Sequence, residues 1–257
     1  MYAKIFWGII IPFIGTCLGS ACTYFIGSEL NRSLKRAISG FAGGVMIAAS
    51  VWSLLIPALE HDVAVAFGAF SFLPAVLGLW IGVMFLLVID KAIPDHNNAL
   101  TPGTLKQNKM LFLSVSIHNL PEGMAIGVIY AAILASQNVQ ALGGAFALSL
   151  GIAVQNFPEG AIISMPLATE GMNKTKAFVY GAISGVIEPI GAILTITAIS
   201  IVVPILPVLL GFAAGAMIYT VIKELFPDVI DTDGNFTGVI SFSVGFTIMM
   251  ILDAVLG

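Results

Sequence analysis

Two near-copies of one polar cluster place metal-ligating side chains inside apolar sequence: His118-Asn119-Leu120-Pro121-Glu122-Gly123 and Gln155-Asn156-Phe157-Pro158-Glu159-Gly160. Imidazole, amide oxygen and carboxylate in one short unit are donors for a divalent cation. Each cluster lies in an apolar stretch long enough to cross a bilayer. A charge at that depth costs at least about 2.5–3.5 kcal/mol, so Glu122 and Glu159 need a compensating partner. A third acid, Glu188, precedes Pro189 in another such stretch. Helical residues turn by about 100° each, which sets Glu122 between His118 and Asn119 in projection, and Glu159 between Gln155 and Asn156. One carboxylate is thereby flanked on both sides, an arrangement that lets it bridge two ions.

Charge balance narrows what such a centre holds. Three neighbouring acids cannot all stay ionised without a cation, so metal uptake should expel protons. An affinity unchanged between about pH 5 and 8 would contradict that. With one imidazole, no thiolate and oxygen donors elsewhere, the set differs from a structural zinc site. It suits exchangeable zinc, iron(II), manganese or cadmium. Pro121, Pro158 and Pro189 each lack an amide hydrogen and should free the carbonyls of Ile117, Val154 and Gly185.

The elements that position these groups follow from composition. The chain is 58% hydrophobic and 9% charged, against about 25% charged for ordinary globular domains, so it reads as an all-α polytopic membrane protein. With a span needing about 20 residues, eight candidates emerge, at 5–26, 37–59, 70–89, 110–132, 141–167, 176–202, 205–226 and 236–256. The apolar run after Lys4 exceeds the roughly 7–15 residues of a signal-peptide core and reads as the first span. One transmembrane domain over residues 1–257 is expected. No basic patch exists to hold a nucleic-acid backbone, and the five-residue spacing of Cys17 and Cys22 on one helix argues against a disulfide between them.

Basic residues set the orientation. Arg32, Lys35 and Arg36 follow span one; Lys91, Lys106 and Lys109 flank the third connection; Lys174 and Lys176 flank the fifth. This alternation predicts odd connections in the cytoplasm and both termini outside, in the cell (inner) membrane. Glu60 and Asp62, with Asp228, Asp231 and Asp233, are assigned to outer connections, and Lys223 and Glu224 to the outer end of span seven. Residues 40–47 and 211–218 match at six of eight positions, offset by 171. Spans two and seven run oppositely in this topology, as do spans four and five. The expectation is therefore a 3+2+3 inverted-repeat arrangement, a transporter device with its site near midplane.

On His118-Asn119-x-x-Glu122-Gly123, Gln155-Asn156-x-Pro158-Glu159-Gly160 and Glu188-Pro189-Ile190-Gly191, the chain resembles the ZIP family of divalent-metal transporters, in its bacterial GufA-like branch. The resemblance covers essentially the entire chain. It implies two adjacent metal positions: His118, Glu122, Gln155 and Glu159 around one ion, and Asn119, Asn156 and Glu188 with the shared Glu122 and Glu159 around the second. Gln155 stands where many members have His, and Asn156 where some have Asp. The family often has a His-rich third connection; this one offers Asp90, Asp95 and His96. Further implications are an elevator motion of spans one, four, five and six against two, three, seven and eight, and a homodimer. The function expected is import of zinc, or of iron, manganese or cadmium, by alternating access through a binuclear midplane site. A metal-selective channel or an intramembrane metalloenzyme is the alternative; against the enzyme, no His-Glu-x-x-His motif is present.

Overall fold

The computed structural model describes residues 1–25, 31–61, 64, 68–92, 105–169, 171–230 and 235–256, and of 92, 105–118 and 224 only the backbone. Among the described residues all regular structure is helical, and eight helical runs are long and apolar enough to cross a membrane. The spans are Tyr2–Tyr24, Arg32–Glu60, Gly68–Lys91, a fourth within the helix Leu105–Ser136, Leu142–Thr169, Lys174–Thr197, Ile199–Val229 and Thr237–Leu256.

Polar caps extend two of these beyond their apolar cores. Asn31 caps span two by accepting from the Ser33 amide, and Asn173 caps span six by accepting from Thr175 and Lys176. Each cap satisfies backbone donors that the first turn leaves unpaired. The expected border between spans six and seven moves. Span six ends at Thr197 and a turn at Ala198 precedes Ile199. That turn is made of apolar residues, so hydropathy does not mark it.

The bundle is built from four parallel helix pairs: one with five, four with six, two with eight, and three with seven. Small residues allow the close approach. A Cβ on Gly44 would strike the Phe242 carbonyl, one on Gly82 the Phe212 carbonyl, and one on Gly19 the Phe157 carbonyl. In a bilayer, where apolar surface alone gives helices no reason to associate, such packing substitutes for it.

Spans two and seven share an irregularity. Each ends its small-residue segment in a π-helical turn, Ser50–Leu55 and Val221–Leu225, and the two begin 171 residues apart. Just before or within each turn, a hydroxyl bonds the carbonyl four residues back, Ser50 to Met46 and Thr220 to Ala216.

The ends of the bundle require a correction. Lys35 pairs with Asp228 at 2.9 Å, and Ser39 donates to the same carboxylate at 3.2 Å. Lys223 pairs with Asp90, which also accepts from Tyr219 at 2.6 Å. Asp228 and Lys223 therefore lie at the end that carries the first and third connections, not at the opposite one. The reason is geometric: span seven runs parallel to span three, so its C-terminal end meets that of span three. Asp62, Asp95, His96, Asp231 and Asp233 and the Glu224 side chain lie outside the described residues. Cys17 and Cys22 are unpaired and partly exposed.

Candidate metal centre

Spans four, five and six meet span one at the middle of the bundle, and the Pro-Glu-Gly units explain how. The glycine after each acid is a point of backbone contact. A Cβ on Gly123 would run into the Glu188 backbone, and one on Gly160 into the Thr16 carbonyl and Ser20. Gly123 thus sets Glu122 beside Glu188, while Gly160 draws span one onto span five. The prolines act unequally. Spans four and five continue as helix through Pro121 and Pro158. Span six breaks after Ser184 and resumes at Ile187, so Glu188 sits in the first turn of the new segment. The positive end of the helix dipole there favours a carboxylate. The Gly185 carbonyl freed by Pro189 accepts from the Glu188 amide at 3.2 Å.

Asn119, Glu122, Gln155, Asn156 and Glu188 are all essentially fully buried, and hydrogen bonds join them across helices. Gln155 Nε2 donates to Glu122 Oε1 at 2.8 Å. Among the described residues Glu188 collects three donors: Thr16 Oγ1 at 3.2 Å and Asn119 Nδ2 at 3.3 Å on Oε1, and Asn156 Nδ2 at 2.6 Å on Oε2. The donors fall into two groups, Gln155 with Glu122, and Asn119 and Asn156 with Glu188.

Both asparagine amides are fixed in orientation. Asn119 Nδ2 also donates to the Ser184 carbonyl at 3.1 Å, and Asn156 Nδ2 to the Pro12 carbonyl at 3.3 Å. A carbonyl can only accept, so the nitrogens must face it and the oxygens must face away. Among the described residues, four buried oxygens then have no hydrogen-bond donor: Asn119 Oδ1, Glu122 Oε2, Gln155 Oε1 and Asn156 Oδ1. A buried acceptor without a partner costs about 1–3 kcal/mol, and such groups are few in native structures. Four in one cluster, all oxygens, form a donor set for a hard or borderline cation.

Glu159 is half-buried and within Coulombic range of Glu122 and Glu188. The backbone of His118 lies in the fourth helix, and its side chain is outside the described residues. Among the described residues, no three His, Cys, Asp or Glu side chains form a cage by themselves. Sequence reasoning gave span one no part in the centre. The structure gives it three: the Thr16 hydroxyl, the Pro12 carbonyl and the backbone packed on Gly160. The one local signal was Thr16 four residues after Pro12 in an apolar helix.

Known proteins match this chain over nearly its whole length. Residues 106–253 match the family described as ZIP zinc transporter. Zinc transporter ZIP11 of Xenopus tropicalis is 31% identical over 98% of this chain and 95% of its own length. Zinc transporter GufA of Myxococcus xanthus is 31% identical over 95% of this chain and 96% of its own. Zinc transporter ZIPB of Bordetella bronchiseptica is 32% identical, covering 95% of this chain and 79% of its own. With a buried carboxylate–amide centre held between spans one, four, five and six, and relatives matched over nearly the whole length, the chain belongs to the ZIP zinc transporter family.

Proposed function

We propose that this protein carries divalent metal ions into the cytoplasm by alternating access, with zinc as the first cargo and iron(II), manganese and cadmium as further candidates. The observation that carries the reading is the set of four buried oxygens, one of them on Glu122, that have no donor among the described residues. The centre reads as binuclear. Gln155 and Glu122, with His118, serve one ion; Asn119, Asn156 and Glu188 serve the other; Glu122 and Glu159 bridge them. The separation of hydrogen bonds into a Glu122 group and a Glu188 group supports this.

Carriage by a 3+2+3 inverted repeat is supported by the paired π-helical turns at the 171-residue offset and by the parallel pairs. Pairs one–five and four–six form the moving unit, and pairs two–eight and three–seven the frame. All eight spans act as one domain in the cell membrane, with both termini outside and a homodimer as the working assembly. The name of each relative gives zinc as its cargo, which makes zinc the first to test.

Purified protein in liposomes loaded with a zinc-sensitive dye tests the proposal. Saturable uptake lost in Glu122→Ala and in Glu159→Ala supports a carrier. Flux that rises linearly with concentration would make it a channel. No flux in the wild type would overturn both.

A further inference from the structure

We infer that the Thr16 hydroxyl is a two-position donor that tunes how tightly the Glu188 side of the centre holds its cargo. The inference rests on the reading of this centre as the transport site. Thr16 is buried and its backbone is pressed against Gly160; its side chain faces Gly185, at the break in span six. That placement sets Oγ1 within reach of two acceptors, Glu188 Oε1 at 3.2 Å and the Pro12 carbonyl at 3.5 Å. A hydroxyl has one hydrogen and serves one acceptor at a time.

The other donors on Glu188 have no such choice. Asn119 and Asn156 each have two amide hydrogens and two acceptors, Glu188 with the Ser184 carbonyl and Glu188 with the Pro12 carbonyl. Of these described donors, Thr16 alone can leave Glu188 and still be satisfied. When a cation takes the lone pair of Oε1 that Thr16 uses, the hydroxyl turns to Pro12 O and is not itself stranded. When the cation leaves, the hydroxyl returns and stabilises the bare carboxylate. Thr16 therefore competes with the cargo, weakening its hold and speeding its release. It is a positioning residue, acting through Glu188.

The test uses purified protein, zinc titration calorimetry and liposome uptake on the wild type, Thr16→Val, Thr16→Ser and Thr16→Ala. Losing one hydrogen bond that favours the cation-free carboxylate should tighten zinc binding about three- to tenfold. Thr16→Val and Thr16→Ala should share a lowered Kd and KM together with a lowered maximal rate. Thr16→Ser keeps the hydroxyl and should restore both to near wild type. Thr16→Ala and Thr16→Ser still decide the matter if the valine variant does not fold. A wild-type Kd in both hydroxyl-free variants would overturn the inference. So would a serine variant that shifts with them, or a fall in maximal rate with KM unchanged. A wild-type protein that binds no zinc overturns the reading of the centre itself, an outcome distinct from equal affinities across the series.

Discussion

The acids at one end of this bundle and the acids at its middle are balanced in opposite ways. At the end that carries the first and third connections, Asp228 meets Lys35 and Asp90 meets Lys223, ammonium groups of the chain itself. At the middle, Glu122 and Glu188 meet amides and a hydroxyl, and among the described residues neither pairs with Lys or Arg. The end pairs are partly exposed, with Lys35 at 42% and Lys223 at 48%, so water shares the work of solvating them. The central acids are shut away from water, where an ion is far more costly to leave unmatched. A fixed cation in the centre would close it for good. A carrier instead needs a vacancy in its charge balance that a mobile ion can fill and quit.

Making the middle resemble the end should have the largest effect. Gln155→Lys would bring an ammonium to Glu122, and zinc binding measured by calorimetry should disappear while the protein stays folded by circular dichroism. Glu122→Ala removes a carboxylate with a bare oxygen and should weaken zinc binding by more than about 100-fold, since even outer-shell partners of a metal are worth 10–100-fold. Gly123→Ala should push span four off the Glu188 backbone. A loss of about 1–3 kcal/mol in thermal unfolding is expected, with impaired uptake. Gln155→His adds an imidazole beside Glu122. It should tighten zinc binding on the order of tenfold and slow turnover, because imidazole is the better zinc ligand. Asp228→Asn breaks only a half-exposed pair and should shift stability by about 0–1 kcal/mol without changing zinc affinity. An affinity change there would blur the distinction between end and middle.

Much of this was legible in the sequence because hydropathy and a repeated motif are local signals. The eight spans and the buried Asn119, Glu122, Gln155, Asn156 and Glu188 follow from them. What stayed hidden depends on which helix lies against which. Thr16 in span one has no motif around it, and only the packing of span one on spans five and six brings it to Glu188. Asp90 and Lys223, 133 positions apart, meet because spans three and seven run parallel. The turn at Ala198 is apolar and silent to hydropathy. Pro189 breaks its helix while Pro121 and Pro158 do not, a difference that residue type does not encode.

Anomalous diffraction at the zinc edge, from crystals of the wild-type protein soaked in zinc, bears most directly on the claim that a captured cation balances the central acids. The expected result is a peak within about 2.2 Å of Glu122 Oε2, in reach of the amide oxygens of Gln155, Asn119 or Asn156. A centre without anomalous density, while zinc decorates only the surface acids, would contradict it.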